Sequence, residues 1–291
     1  MPVRTEAVMG TIVTIHVVSS EAGVDTSIDR AFGWFHEIEE RCTRFDPRSE
    51  LMQLTAKAGV AVPASPILYE AVRFALMVAE ETGGAFDPTV GHRMEARGFN
   101  REHRTGATVR TTIAPDDDVS FQDVRLDPDR NTITLLRPLT LDLGAVAKGL
   151  AVDLAARELE PFKNFAIDAG GDLYLGGLNP EGDPWSVGIR HPRNAEELID
   201  TLRVSNQAVC TSGDYERAGH ILQPQGGTSP TVVASATVVA PGAMLADALA
   251  TAVFVLGPAA GIDLLNRLEV DGLIITAELQ RHETRGLRRV A

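Results

Sequence analysis

The charged side chains that stand out most are those in the stretch LDLGAVAKGLAVD, residues 141–153. Asp142, Lys148 and Asp153 lie there among Leu, Ala, Val and Gly residues of the kind that build a protein core. Charged side chains are seldom buried without a partner. Either this stretch has one solvated face, or a molecule bound there requires the charges.

The local structure expected for this stretch places Lys148 near a helix start. Residues 139–143 are predicted to form a strand, Gly144 a tight turn, and Ala145 the beginning of a helix. A lysine in the first helical turn is poorly placed relative to the helix dipole, and an anionic ligand there would offset that cost. The alternative is that Lys148 pairs with Asp142 or points to solvent.

A second candidate site lies in ADALATAVF, residues 246–254. Asp247 and Thr251 are four positions apart, so they share one face of a helix. A carboxylate and a hydroxyl one turn apart can both act as the hard oxygen ligands that Mg²⁺ prefers. In the alternative interpretation, the Thr251 hydroxyl donates a hydrogen bond to a backbone carbonyl of its own helix, and Asp247 has hydrogen-bond partners within the protein.

Paired glycines mark a third motif, IDAGGDLYLGG at residues 167–177. Gly170 and Gly171 permit close backbone approach or a positive φ. The motif contains no GxGxxG, and no GK[ST] follows it, so it indicates neither a dinucleotide-binding fingerprint nor a phosphate-binding P-loop. Asp168 and Asp172 are therefore expected to be turn residues.

His220 lies in TSGDYERAGHILQP, residues 211–224, just before an apolar pair. None of the seven histidines forms HExxH or another metal-binding spacing. A histidine can act as a base near neutral pH, although a single one is more often a packed or surface residue. In the segment AFDPTVG, residues 85–91, Asp87 and Pro88 would ordinarily serve the architecture of a turn.

The elements that would position these residues mix helices and strands. Helices are predicted over residues 25–43, 65–82, 145–160 and 241–256, with Ser65 starting the second and Gly83-Gly84 ending it. Strands are predicted over residues 9–18, 124–126, 132–136, 140–143, 166–175, 185–190, 201–204, 208–211, 232–239 and 273–276, with residues 220–221 in or next to another. The strand over residues 166–175 is interrupted by Gly170-Gly171. Residues 91–120 are expected to form an irregular surface excursion. Because strand–helix–strand units alternate with successive strands, the predicted fold class is α+β.

Composition excludes several classes of protein. The chain has 291 residues and a formal net charge of −13, with a sequence pI of about 5.0. This acidic balance argues against a general nucleic-acid binder and against docking on anionic lipid. Cys42 and Cys210 are far apart and indicate neither a disulfide framework nor a zinc site.

Polar residues interrupt the apolar segments, so no signal peptide and no transmembrane segment is predicted. A cytoplasmic protein is expected unless an export signal has been removed from its start.

Taken in order, the motifs resemble those of the ApbE family, the FAD:protein FMN transferases. The matching segments run from residue 9 to residue 257, which is nearly the whole chain. Each motif is weak by itself, but the shared order of all of them makes the resemblance specific. The segments are MGT (9–11), residues 42–51, AFDPTVG (85–91), LDLGAVAKGLAVD (141–153), IDAGGDLYLGG (167–177), PWSVGIRHP (184–192), TSGDYE (211–216), HILQP (220–224) and ADALATAVFVLG (246–257).

The resemblance implies a T-fold-like α+β architecture with mixed or antiparallel sheets and packed helices. It implies one domain over residues 1–291, which could contain two closely packed subdomains. It further implies a Mg²⁺-dependent enzyme that cleaves FAD, releases AMP and attaches FMN by a phosphoester bond to a Thr or Ser of an acceptor flavoprotein. Two alternatives stay open, namely an FAD pyrophosphatase and a non-catalytic FAD-binding protein.

Individual residues fall on the functional positions of that family. His220 matches the histidine that helps to activate the acceptor hydroxyl, and Asp247 is a further catalytic residue through its metal contact. The ring of Phe45 would stack on the flavin nucleotide, whereas Asp153 lies well into its helix and is assigned to structure. Metal positions are Asp247, Thr251, the backbone carbonyl of Ala145 and, beside them, Ala250. FAD-contacting positions are Met9, Ala85, Phe86, Asp87, Asp142, Lys148 and Ile221.

Two departures from the family pattern concern the ligand and the acceptor. Phe45 stands where the family usually has Tyr, so stacking is kept and a hydroxyl is lost. The family's HILDPRTG is HILQPQGG here, with Gln223 replacing an acid and with Gln225 and Gly226 replacing Arg and Thr. Charge is thereby removed beside His220, a change that concerns acceptor handling or the basicity of this histidine.

Overall fold

Helices and strands follow one another along the chain in the computed structural model, which describes residues 1–103, 105–111, 113, 118–215, 219–224 and 230–289. Within these ranges the α-helices are α1 (Val24–Cys42), α2 (Glu50–Thr55), α3 (Pro66–Glu81), α4 (Gly91–Ala96), α5 (Gly144–Leu159), α6 (Ala243–Leu256) and α7 (Pro258–Arg267). The strands are β1 (Val3–Val8), β2 (Thr11–Val17), β3 (Val62–Pro63), β4 (Val124–Asp127), β5 (Thr132–Leu135), β6 (Phe165–Ala169), β7 (Leu173–Gly176), β8 (Trp185–His191), β9 (Asn194–Val204), β10 (Gln207–Gly213), β11 (Val233–Ala240), β12 (Asp271–Thr276) and β13 (Arg281–Glu283).

The largest sheet has eight strands in the order β1-β2-β6-β7-β10-β11-β12-β13. All of its neighbouring strands are antiparallel. A three-stranded sheet, β3-β5-β4, and a two-stranded ribbon, β8-β9, are antiparallel as well. The fold is therefore α+β with antiparallel sheets and packed helices, which confirms the fold class predicted from the sequence.

Both faces of the large sheet are covered at β11. Val238 and Ala240 belong to a large apolar cluster that also contains residues of α5 and α6, whereas Val239 belongs to a smaller cluster with Val187 and Ile189 of the ribbon. Because successive side chains of a strand point to opposite faces, the helices cover one face here and the ribbon covers the other. This explains why all 8 residues of β11 are buried and why its sequence contains only small or β-branched residues without any charge.

Helices α5 and α6 approach each other closely at Gly149. A Cβ atom at this glycine would lie 2.5 Å from the Cα atom of Met244 and 2.6 Å from the carbonyl oxygen of Ala243. The carboxylate of Asp153, one turn further along α5, accepts hydrogen bonds from the backbone N–H groups of Ala243 at 2.6 Å and Met244 at 3.0 Å. Asp153 thus satisfies the free amides at the start of α6, and its assignment to structure is confirmed.

The predicted helices are confirmed, but one predicted strand is wrong. Helix α3 begins with Ser65, whose hydroxyl accepts a hydrogen bond from the backbone N–H of Leu68, as the sequence predicts. Residues 139–143 form no strand. Instead, the Asp142 N–H donates to the Pro88 carbonyl at 2.7 Å, and the Thr140 carbonyl accepts from the Gly91 N–H at 3.1 Å. The segment is extended because it pairs with a turn rather than with a sheet.

Other predictions differ from the structure in smaller ways. Residues 220–221 lie outside the strands, and the expected excursion over residues 91–120 contains the short helix α4 with a buried His92. Helix α7 and the edge strand β13 are not predicted from the sequence. Cys42 and Cys210 are both free and buried. Among the described residues, the helices are too short or too polar to cross a lipid bilayer.

The contact at Gly149 yields a stability prediction. We expect Gly149→Ala to lower the free energy of unfolding by about 1–3 kcal/mol, because the added methyl group meets backbone atoms of α6 that cannot move aside cheaply. The measurement is chemical denaturation followed by circular dichroism.

Gly33→Ala is the matched control. Gly33 lies in the interior of α1, and a Cβ atom there would meet nothing within 4 Å, so Ala should stabilise the protein by about 0.5–1 kcal/mol. Changes of the same sign and size at both glycines would contradict the close approach of α5 to α6.

Candidate functional site

Lys148, which is half-buried, forms an ion pair with the buried Asp172, and this pair lies at the centre of the candidate site. Lys148 is on α5, and Asp172 is in the turn between β6 and β7, where its side chain is only 4 % exposed. Asp247 of α6, also buried, interacts electrostatically with the same ammonium group. Burial alone lowers the pKa of Lys148, but the carboxylates of Asp172 and Asp247 raise it, and the net result is a pKa above the ordinary value. Lys148 is therefore a permanent positive charge.

The pairing of Lys148 differs from the alternatives considered on sequence grounds. Its partner is Asp172 rather than Asp142. Lys148 follows Ala145 by three residues, and because Ala145 has non-helical torsion angles, Lys148 lies in the first regular turn of α5, as predicted. Asp172 does lie in a turn, as expected, but its side chain is buried and faces a cation, a role that the sequence analysis did not assign to it. The sequence signal was weak, since a Gly-Gly-Asp turn is usually an exposed turn.

Asp142 is held by two different donors. Its Oδ2 atom accepts a hydrogen bond from Nε of Arg44 at 2.7 Å, and its Oδ1 atom accepts one from the backbone N–H of Gly144 at 2.8 Å. The guanidinium of Arg44 is buried and also lies over the ring of Phe45, with 4.3 Å between Cζ and the ring centroid. The structure therefore joins two residues predicted to contact FAD, Phe45 and Asp142, through Arg44, which the sequence analysis missed.

Asp87 shapes the turn that carries the AFDPTVG motif. Its Oδ1 atom accepts hydrogen bonds from the N–H and the hydroxyl of Thr89 at 2.8 and 2.7 Å, and its Oδ2 atom accepts one from the N–H of Phe121 at 3.0 Å. The next residue, Pro88, accepts the hydrogen bond from the Asp142 N–H at 2.7 Å. This bond brings together the segments that carry two predicted FAD positions, Asp87 and Asp142. Two further predicted FAD positions, Ala85 and Phe86, directly precede Asp87 on the chain.

The predicted metal positions lie on α5 and α6. Asp247 and Thr251 are one turn apart on α6, and Thr251 Oγ1 is 3.2 Å from Oγ of Ser212 on β10, a neighbour the sequence did not indicate. Ala250, which directly precedes Thr251 on α6, is buried. Ala145 has non-helical torsion angles, φ −91° and ψ 17°, within α5.

The predicted metal positions would offer oxygen donors of several kinds. The described residues contain no group of three or more His, Cys, Asp or Glu side chains suited to a metal ion. The predicted set has a different composition, because it joins one carboxylate to hydroxyl and backbone carbonyl oxygens. Such hard oxygens are what Mg²⁺ accepts, usually together with waters and substrate phosphates.

His220 and Ile221 lie on the loop between β10 and β11, with Ile221 buried and His220 half-buried. Side-chain contacts attach this loop near its start and at Pro224, within the part that the structure describes. Asp214 at its start binds the guanidinium of Arg193, with oxygen–nitrogen distances of 2.7 and 2.9 Å, and the Pro224 carbonyl accepts a hydrogen bond from Arg93 of α4. The departures at residues 225 and 226 lie outside the described residues.

Met9 lies in the tight turn between β1 and β2. It has a φ of 53°, and Gly10 after it has a φ of 72°. The N–H of Gly10 donates to Nε2 of His103 at 3.2 Å, so the turn is tied to the segment after α4. Met9 and Gly10 of the MGT motif are thus the two loop residues of a β-hairpin, and both have the positive φ that such tight hairpin turns favour.

Cys210 is close to this site but is a poor nucleophile. Burial raises the pKa of its thiol well above the ordinary value, and the carboxylates of Asp172 and Asp247 raise it further, while Lys148 acts in the opposite direction. Its Sγ atom faces the Ala243 carbonyl at 3.6 Å. Because the thiolate is the reactive form, covalent catalysis through Cys210 is not supported.

The fold and site together define a class of α+β protein in which a lysine on one helix faces a carboxylate from a turn of the large sheet and a carboxylate from a second helix. The sequence model of the ApbE family matches residues 9–274. A crystal structure of the ApbE protein from Thermotoga maritima superposes with a TM-score of 0.87 at 27% identity, covering 98% of this chain and 97% of that one. The chain therefore belongs to the ApbE family.

Two relatives with curated names support this membership. A protein of Treponema pallidum is 31% identical over 98% of this chain and 87% of its own length. A protein of Haemophilus influenzae is 30% identical over 76% of this chain and 70% of its own length. Both relatives are named FAD:protein FMN transferase.

The buried ion pair gives a second stability prediction. Asp172→Ala leaves the Lys148 ammonium without its closest partner, so we expect a loss of about 3–5 kcal/mol in the free energy of unfolding. Adding Lys148→Met removes the stranded charge, and the double variant should be more stable than Asp172→Ala alone. Urea denaturation of the two variants measures the difference.

The control is an exposed ion pair. Glu70→Ala removes the partner of Arg73 on the surface of α3, where we expect a change of at most about 0.5 kcal/mol. A double variant that is less stable than Asp172→Ala would show that Lys148 is not stranded by the loss of Asp172.

Proposed function

We propose that this protein is a Mg²⁺-dependent FAD:protein FMN transferase. It cleaves FAD to AMP and joins FMN by a phosphoester bond to a Thr or Ser of an acceptor flavoprotein. The observation that carries the proposal is the charge of Lys148, held beside the buried carboxylates of Asp172 and Asp247 in a chain of this family. A fixed cation in a water-poor site stabilises negative charge that develops on a transferring phosphoryl group.

The bond changes of the proposed reaction are balanced. The acceptor hydroxyl oxygen forms a bond to the phosphorus of the FMN half, and the bond from that phosphorus to the bridging oxygen breaks. The bonding electron pair leaves with AMP, and His220 takes the hydroxyl proton. The loop attachments at Asp214 and Pro224 hold the segment that carries His220.

The oxygen donors fit a magnesium ion in this proposal. With Lys148 protonated and both carboxyl groups ionised, the buried cluster has one negative charge in excess, and a pyrophosphate adds more. A divalent cation held by Asp247, Thr251 and the Ala145 carbonyl would offset this charge. When bound, the ion supplies charge neutralisation on the phosphate oxygens.

The residues proposed to hold FAD have distinct roles. Phe45 offers its ring for stacking, and Asp142 retains acceptor capacity, because each carboxylate oxygen can accept two hydrogen bonds and has one donor in the contacts described above. Asp87 acts through the turn that it holds, beside Ala85 and Phe86. Met9, Lys148 and Ile221 complete the proposed set.

The proposed transfer is tested by incubating the protein with FAD, MgCl₂ and a candidate acceptor. A covalent FMN mass shift on the acceptor supports it, and no shift with any cognate acceptor contradicts it.

Gln223 in place of an acid beside His220 favours a second candidate, an FAD pyrophosphatase in which water replaces the acceptor hydroxyl. Rapid AMP release without an acceptor would support this second function.

We expect Asp247→Ala to abolish Mg²⁺-dependent turnover, because it removes the single carboxylate of the donor set. The measurement is AMP release with and without EDTA. The matched control is Asp263→Ala at an exposed position of α7. If Asp247→Ala alters FAD handling no more than this control does, a non-catalytic FAD-binding protein becomes the better explanation.

We expect His220→Ala to slow FMN transfer by about 10²–10⁴-fold while leaving FAD binding unchanged, because His220 acts on the acceptor proton only. The measurements are the transfer rate at saturating FAD and the dissociation constant of FAD. His36→Ala, at an exposed position of α1, is the control. Equal transfer rates for His220→Ala and the wild type would remove the role of His220 as a base.

A further inference from the structure

Arg44 is a buried cation that connects three separate segments. It lies in the turn after α1, with its side chain only 8 % exposed. Its Nε atom donates to Asp142 Oδ2 at 2.7 Å, and another guanidinium nitrogen donates to the Phe99 carbonyl. The same guanidinium lies over the Phe45 ring, with 4.3 Å from Cζ to the centroid. One side chain therefore contacts a carboxylate, a carbonyl and an aromatic ring.

These contacts use the shape of arginine as well as its charge. The edge of a planar guanidinium can donate hydrogen bonds while its face lies against an aromatic ring. The ammonium of a lysine is a compact point charge and cannot make both kinds of contact with the same geometry. Arg44 thus fixes the orientation of the Phe45 ring relative to the carboxylate of Asp142.

The two residues held by Arg44 retain capacity for a ligand. The Phe45 side chain is half-buried, so part of it is accessible. Asp142 is further oriented by the Gly144 N–H on Oδ1 and by its own N–H on the Pro88 carbonyl. A ring for stacking and an oriented acceptor side by side suit a planar heteroaromatic group with a hydrogen-bond donor.

We propose that Arg44 is a positioning residue for the flavin nucleotide. It preorganises the Phe45 ring for stacking and the Asp142 carboxylate for accepting a hydrogen bond, and it contacts neither the reacting phosphorus nor the acceptor. This inference rests on the proposed function, because it assigns the ligand as FAD. Its effect is on binding of FAD rather than on the chemical step.

The test compares Arg44→Met and Arg44→Lys with the wild-type protein. We expect the dissociation constant of FAD, measured by equilibrium dialysis with MgCl₂ present, to rise about tenfold in Arg44→Met. The rise should be smaller in Arg44→Lys, which keeps the charge next to Asp142. At saturating FAD, kcat should stay within about threefold of wild type, because the phosphoryl site is untouched.

Arg48→Met is the matched control. Arg48 lies in the same turn, but its side chain is 89 % exposed and pairs only with Asp46 among the contacts described. We expect its FAD dissociation constant to stay within about twofold of wild type. If Arg44→Met does not fold, as judged by circular dichroism, the comparison of Arg44→Lys with Arg48→Met decides the question.

A double-mutant cycle with Phe45→Leu separates positioning from a general structural effect. If Arg44 acts partly through Phe45, the combined variant binds FAD more tightly than the product of the two single effects predicts. Fully multiplicative effects, or FAD affinities of the Arg44 variants equal to that of wild type, would overturn the inference. A wild-type protein that binds FAD but transfers no FMN would overturn the proposed function alone, and one that binds no FAD would overturn both.

Discussion

The ion pair between Lys148 and Asp172 is the interaction on which the arrangement of the site depends. A charge that is removed from water requires a partner in a fixed place, so the pair ties α5 to the turn between β6 and β7. Asp247 adds a third element, α6, to the same electrostatic group. The close approach of α5 to α6 at Gly149, one residue after Lys148, makes this arrangement sterically feasible.

The acidic residues of the site divide into two groups with different physical roles. Asp87 and Asp153 accept hydrogen bonds from backbone amides and hold turns and helix starts in place. Asp172 and Asp247 face Lys148 and define the electrostatic character of the site. Asp142 belongs to both groups, because it accepts from the Gly144 amide and from Arg44. Each cation of the site, Lys148 and Arg44, therefore has a carboxylate partner that the fold holds in place.

Membership in the ApbE family and the contacts around Lys148 support the same proposed chemistry from independent directions. The family match covers residues 9–274, so it includes every segment that contributes to the site. The contacts identify the partner of each charged side chain in this protein, which sequence similarity alone does not show. Arg44 illustrates the difference, since its role follows only from its contacts with Phe45, Phe99 and Asp142.

Local sequence patterns determined much of the secondary structure of this protein. Helical periodicity predicted α1, α3 and α6, the Ser65 cap followed from residue type, and the spacing of Asp247 and Thr251 placed them on one face of a helix. The ordered motifs were sufficient to indicate the family. These features depend on neighbours within a few residues along the chain, where geometry follows directly from the 3.6-residue helical repeat or the two-residue repeat of a strand.

Only the tertiary structure decided which charges meet. The sequence offered Asp142 as a partner for Lys148, yet the fold pairs Lys148 with Asp172 and Asp142 with Arg44. Asp142 and Arg44 are separated by 98 positions. The extended segment before Gly144 resembles a strand in sequence but bonds to the turn at Pro88. Such pairings depend on how the sheet and helices pack, because burial forces each charge to the nearest available partner in space rather than along the chain.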